Sequence, residues 1–387
     1  MKIVHIMNYY MPKMAYQENH LPQNQKKIGN SVEIITSDRY FPFSNYEDLY
    51  KKFLGARVHK NGIIEDNGVK IYKLKPLYEN VNHALIFFKK KEVYKILDNI
   101  KPNIIHVHSP KNLNLIYINK WCKDNSCKLF IDCHDDYGNT TFKKKGIKKL
   151  IMNTFNILYK DIVKNTKCFL PITNESYKVL KNEYKIEKNK IAISGLGVDI
   201  NNCRYNDKFR KELRNMFDFK NDDIVFITTG RITIKQNSIL IINSFIELNK
   251  KYKNIKLFLQ GNIESDLKKF VDGKNIIDNS FIESNQLYKY FSMADVAIWS
   301  NPTNSIQDGM SCSKPIIIPN KENIKYLVSA NNGFTYSNQQ ELTKYMEYFV
   351  INKLKISELG NKSREFAKEK LSWEIIAKNT LEIYCKY

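Results

Sequence analysis

The chain has 387 residues, 43% of them hydrophobic, and a formal net charge of +22. That length exceeds one ordinary domain and suits two of about 190 residues each, and the apolar content supports packed cores rather than a disordered chain. No run approaches the roughly 20 apolar residues of a membrane span, and the seven cysteines include no Cys-x-x-Cys pair, which sets aside a zinc ribbon and a disulfide framework.

Lys2–Met7 reads as a buried strand and not as a signal peptide, so a cytoplasmic protein is expected. The loop from Asn8 to Tyr16 leads into a helix that runs to about Ile28 and closes at Gly29-Asn30. Strands follow at Val32–Thr36, Asn103–Val107, Leu129–Asp132, Cys168–Ile172 and Ile191–Ile193. The polar stretch Asp199 to Asp207 lacks periodicity and reads as a linker. The pattern then restarts with a strand Ile224–Thr228, a turn at Gly230-Arg231 and a helix Ser238–Leu248. A strand Ile255–Leu259 ends in Gln260-Gly261, and a helix covers Leu287–Ser292. Val296–Trp299 is a strand, followed by a polar loop, a short helix, Pro315 and the strand Ile316–Ile318. A last helix runs from Ser372 to about Tyr384.

Strands alternating with helices predict doubly wound parallel sheets. The expected domains are 1–200, 201–370 and a closing helix 371–387. Ligands of such sheets bind outside the strand C-termini, at the topological switch point. A substrate is therefore expected in a cleft between the domains.

The charge is uneven. Residues 1–200 hold 34 basic and 19 acidic side chains, and residues 201–387 hold 28 and 21. An AT-rich genome would produce a Lys, Asn and Ile excess with no functional cause. The bias toward the first half also fits an anionic membrane surface or a lipid-phosphate acceptor. Lys143, Lys144, Lys145, Lys148 and Lys149 precede an apolar helical pattern that suits such a surface, or a core-packed helix with a solvated lysine end. Phe87-Phe88-Lys89-Lys90-Lys91 is a weaker candidate. No nucleic-acid partner is expected, because no helix-turn-helix, finger or RNP pattern accompanies the charge. No P-loop is present.

Chemistry concentrates in a few places. Asn304-Ser305 are good N-cap residues, and backbone N–H groups near Ser305-Ile306 would meet an anion such as a diphosphate. Asp308 sits one turn inside that helix. Gly230, Arg231 and Lys235 combine a glycine with two cations that can neutralise phosphate, or form an ordinary solvated turn. His134 follows an apolar strand and can donate a hydrogen bond or act as acid or base. His106 and His108 point to one face of a strand, which suggests a metal, but no third ligand is evident.

Together these residues resemble glycosyltransferase family 4, retaining enzymes of the GT-B fold, with surface-polysaccharide enzymes the nearest type. The resemblance rests on Lys2-Ile3-Val4-His5-Ile6 with Pro12 and Tyr16-Gln17-Glu18, on Ile104-Ile105-His106-Val107-His108, and on Asp132-Cys133-His134. It continues through Gly195-Leu196-Gly197-Val198-Asp199, Gly230-Arg231 with Lys235, and Ala294-Asp295 through Pro315-Ile316. It implies two Rossmann-like domains facing across a cleft, with the C-terminal helix crossing back to the first domain. It also implies a nucleotide-sugar donor, a glycan or lipid-linked acceptor, and catalysis without metal or cofactor. Arg231 and Lys235 would hold the donor diphosphate, Asp308 the ribose hydroxyls, and His134 would face the donor sugar. Ala15, Gly230, Gly261, Asn304, Ser305 and Ile306 would complete the donor site. No Asp-x-Asp triplet supports the metal-bound diphosphate of the other large glycosyltransferase fold.

The chain departs from the family pattern at several of these positions. The first of the family's two glutamates falls at Ser300 and the second is Asp308. The glycines usual in the first loop and before Pro315 are Ala15 and Ser313, and Arg231 and Lys235 stand one residue closer than usual. A catalytically degenerate GT-B protein, serving as a binding or scaffold partner in glycan assembly, is the alternative. A GT-B sugar epimerase fits the opening and closing motifs less well.

Overall fold

The computed structural model describes the chain apart from residues 13, 15, 44–45 and 138–158. It divides into two compact units, Met1–Leu196 with Ile376–Tyr387, and Gly197–Ile375. The last helix, Trp373–Lys386, thus ends in the first unit, where Tyr384 is fully buried against Phe130.

The strands of the first unit are β1 (Lys2–Ile6), β2 (Ser31–Ser37), β3 (Gly62–Asp66), β4 (Val69–Leu74), β5 (Tyr78–Asn80), β6 (Leu85–Phe87), β7 (Ile104–Val107), β8 (Lys128–Cys133) and β9 (Cys168–Pro171). Seven of them form one sheet in the order β3-β4-β2-β1-β7-β8-β9, and β5 pairs with β6 apart from it. All neighbours in the large sheet are parallel except β3 and β4. Both faces are covered, so the strands read as nearly continuous apolar runs. Alternate residues fall into two clusters, one with Val4, Ile105 and Ile131, the other with Ile3, Ile104 and Phe130.

The second unit holds β10 (Ile224–Ile232), β11 (Ile255–Ile263), β12 (Ile276–Asn279), β13 (Val296–Ile298), β14 (Ile316–Pro319) and β15 (Gly333–Tyr336). They form a parallel sheet in the order β12-β11-β10-β13-β14-β15. Strand order therefore reverses beside β1 and β7 in one unit and beside β10 and β13 in the other. These reversals are the switch points where doubly wound sheets bind ligands.

Three expectations are corrected. The strand that opens the second unit does not end at Thr228. It continues through Gly230, Arg231 and Ile232, paired with Gly261, Asn262 and Ile263. Gly230 (φ 106°) and Gly261 (φ 142°) occupy backbone regions closed to other residues, and a Cβ on Gly261 would lie 2.0 Å from the Gly230 carbonyl oxygen. Ile191–Ile193 is not a strand, because pairing stops after a single bridge from Ile191 to Phe169. Phe88 is fully buried and Phe87 packs edge-on against Tyr117. Phe88 is therefore core, with Phe87 partly buried against it, where the sequence offered both to a membrane surface. The lysine-rich segment 143–149 lies outside the described residues.

Candidate functional site

In the second unit, the loop after β13 is held by hydroxyls around one tryptophan. The buried Trp299 indole N–H donates to Thr229 Oγ1 (3.0 Å) and Ser305 Oγ (3.1 Å), and Thr229 donates to Ser305 Oγ at 2.7 Å. Tyr336 donates to the Trp299 carbonyl at 3.0 Å. This joins β10 at Thr229 to the start of the helix Ser305–Ser311, on opposite sides of the switch point. Gly309 lets that helix lie against the indole, since a Cβ there would come within 2.7 Å of it.

The expected cap is corrected. Asn304 precedes the helix but its side chain caps nothing, and Ser305 is the first helical residue with its hydroxyl bonded inside the protein. The Ile306 N–H bonds Thr303 O at 3.3 Å. Ser300 Oγ meets Ser238 Oγ at 3.3 Å.

Arg231 and Lys235 are exposed, as are Gly230 and Asn304. Among the described residues, neither cation makes an ion pair or a side-chain hydrogen bond. Gly261, paired with Gly230, is buried beside them. Asp308 is partly exposed. Burial drives its carboxyl up to about 7; a hydrogen bond from Cys203 pulls it back, and Asp199 pushes it up further. Ala15 lies outside the described residues.

Asp295 and Lys314, at the two ends of this segment, are structural. Asp295 accepts from Arg210 (2.7 Å), Arg214 (3.3 Å) and the Val225 N–H (2.8 Å). Lys314 donates to Ala294 O at 2.8 Å, and burial lowers its ammonium to about 8 against the pull of Asp295.

In the first unit, His134 leaves the end of β8 at the same kind of edge. Period two puts His5, His106, His108 and Asp132 on one face of three neighbouring strands, with His5 beside His106 in register. Asp132 is fully buried. Its Oδ2 lies 2.7 Å from His108 Nδ1, 3.3 Å from His134 Nε2 and 3.4 Å from His106 Nε2, while Oδ1 accepts the Ser109 N–H at 2.9 Å. Burial opposes the Asp132 charge, but the surrounding imidazoles hold the carboxyl well below its usual range.

Behind it, His108 Nε2 meets His5 Nδ1 at 3.0 Å, His5 Nε2 meets Gln25 Oε1 at 2.8 Å, and His106 Nδ1 meets Tyr384 Oη at 2.6 Å. The third imidazole that sequence spacing did not supply is therefore His5. Each ring nitrogen of His5, His106 and His108 lies within 3.4 Å of a protein polar atom, and one nitrogen from each ring lies within 4.8 Å of the other two. The place of Asp132 was legible only as its i, i+2 spacing from His134. His5, Gln25 and Tyr384 gave no local signal, because they come from distant elements.

Two Rossmann-like units, each with polar groups at its switch point, make a fold of the GT-B class. The family model described as Glycosyltransferase Family 4 matches residues 23–202, and that described as Glycosyl transferases group 1 matches residues 209–370. The chain belongs to this family of transferases. It is 26% identical over 294 residues to an uncharacterized glycosyltransferase, MJ1059, of Methanocaldococcus jannaschii, covering 71% of this chain and 68% of that one. It is 22% identical over 323 residues to the alpha-monoglucosyldiacylglycerol synthase of Acholeplasma laidlawii, covering 78% and 79%. The structure of Alr3699/HepE from Anabaena, in complex with UDP, superposes with a TM-score of 0.69 at 12% identity over the full length of both chains.

Proposed function

We propose that this protein transfers a sugar, with retention, from a nucleotide-sugar donor to a glycan or lipid-linked acceptor in surface-polysaccharide synthesis. The observation that carries the donor site is that Arg231 and Lys235, beside the switch point of the second unit, are exposed and unpaired among the described residues. Exposed cations at a strand end, with Gly230 and Gly261 keeping the backbone open, suit a diphosphate. Asp308 accepts from ribose hydroxyls, and His134 donates to the donor sugar. Charge developing on the leaving diphosphate is stabilised by Arg231 and Lys235, so that positioning and electrostatics supply the catalysis without a metal. The UDP held by the Anabaena protein makes a uridine donor the first choice. The Acholeplasma protein is named as a synthase of monoglucosyldiacylglycerol, which favours a lipid acceptor met at an anionic membrane surface.

A second reading is a degenerate GT-B binding protein. It is favoured by Ser300, whose hydroxyl replaces a carboxylate and is bonded to Ser238. Thermal stabilisation against UDP-, GDP-, ADP- and CMP-sugars, without added metal, separates the two. A shift with one nucleotide series supports the transferase, since a ligand bound only to the native state raises the melting temperature. No shift with any series favours the degenerate reading.

A further inference from the structure

Asp132 is a fully buried carboxylate whose described partners include no lysine or arginine. Its Oδ2 is shared by three imidazoles and its Oδ1 accepts a backbone N–H. Of the three nitrogens, His134 Nε2 hydrogen-bonds the carboxylate, and a carboxylate crowded by imidazoles and a backbone N–H is held ionised; a buried charge persists only when paired. One of the imidazoles must therefore answer it.

The three are not equivalent. His106 is sealed in the core with its other nitrogen on Tyr384, and His108 is buried with its other nitrogen on His5. His134 alone reaches the sheet edge, with 35% of its side chain exposed, where water helps to carry a cation. The groups around it are Asp132 and Asp135 on its own segment, Glu18 from the helix Gln17–Lys27, and His106 and His108 from β7 and its end. Asp135 is itself held by Lys111 at 2.8 Å and by Tyr184 at 2.8 Å.

We propose that Asp132 is a positioning residue for the transfer reaction: it orients the His134 ring at the sheet edge and supplies the buried negative charge against which His134 keeps its proton. This rests on the reading that His134 faces the donor sugar. A cationic ring donates a stronger hydrogen bond to a sugar oxygen than a neutral one. The cluster behind Asp132, through His108 to His5 and through His106 to Tyr384, keeps the carboxylate from turning away. Burial disfavours the His134 charge, but the Asp132 charge and hydrogen bond, with Glu18 and Asp135, outweigh it and raise the imidazolium to about 9.

The test is an NMR titration of ¹³C-labelled histidines in the full chain, with His134 assigned by His134→Gln, alongside the pH profile of sugar transfer. In the wild type, His134 should titrate near 9. In Asp132→Asn its midpoint should fall by about one unit or more, and the alkaline limb of the transfer profile should move down with it. A merely structural Asp132 would lower the rate at every pH and leave the limb in place. An unmoved His134 midpoint in folded Asp132→Asn overturns the proposal. If that variant does not fold, the wild-type titration decides, and a His134 midpoint at or below 6.5 overturns it. If no donor binds and no transfer occurs, the functional reading fails, while the midpoint still decides whether Asp132 holds His134 charged.

Discussion

The two sheet edges use polar groups in opposite ways. In the first unit, Asp132 is buried and saturated by protein, with three imidazoles and a backbone N–H already in place. In the second, Arg231 and Lys235 stand in solvent with their charge unspent, on a scaffold made rigid by Trp299, Thr229 and Ser305. A saturated buried network fixes geometry and offers one outward group, His134. An open cationic edge offers charge and waits for a ligand to neutralise it. On the proposed function, the contrast separates the groups that orient from the groups that bind.

The sharpest way to break this contrast is Arg231→Ala. If the open edge binds the donor diphosphate, kcat/KM should fall by about 10²–10³ with little change in melting temperature, as for removal of a donor to developing charge. Steady-state kinetics near the wild-type rate would remove Arg231 from the site. Gly261→Ala should act in the reverse sense, on the fold first. A Cβ 2.0 Å from the Gly230 carbonyl forces the paired strands apart, at about 3 kcal/mol in a urea-unfolding midpoint.

Asp308 sharpens the comparison through pH. Its carboxyl is raised, so its contribution to stability is present below the unfolded value of 3.8 and lost as pH climbs through about 7. Donor affinity should move the other way, rising up to about tenfold as the carboxylate ionises and accepts ribose hydroxyls. Melting curves with and without donor from pH 5.5 to 8.5 should show the crossing, and Asp308→Asn should flatten it. His134 has the opposite charge type and a raised value, so its stabilisation is full below 6.5 and lost as pH rises through about 9. His134→Gln should remove that alkaline loss. The smallest effect is expected from replacing Lys143, Lys144, Lys145, Lys148 and Lys149 by Gln. Sedimentation with anionic liposomes should weaken, by about 1 kcal/mol for each lysine that meets the surface, and fall further with salt. Unchanged sedimentation would remove that segment from the membrane reading.

Much of this organisation was legible in the residues. Apolar runs at Ile3–Ile6, Ile104–Val107 and Phe226–Ile227 marked buried parallel strands, and the breaks between them marked two doubly wound sheets. Gly230, Arg231 and Lys235 stood out as a glycine with two cations after an apolar strand, and Asp308 as a carboxylate one turn inside a short helix. The extra length of β10 and β11 was not legible. Glycine reads locally as a turn, and only the facing Gly230 and Gly261 show that both strands continue.

What the sequence by itself determined is therefore the class of fold, the order of the two units and the residue types at their edges. These follow from hydrophobic periodicity and from the special backbone of glycine, both local properties. Tertiary structure alone decided which polar groups are spent and which are free. His5, Gln25, His106, Asp132 and Tyr384 come from five separate elements, and only packing brings them to one carboxylate. The same packing turned Ser305 inward onto Trp299 and left Arg231 outward. Charge and hydrogen-bonding capacity are written in the residue, but whether water, protein or a ligand satisfies them depends on contacts between residues far apart in the chain.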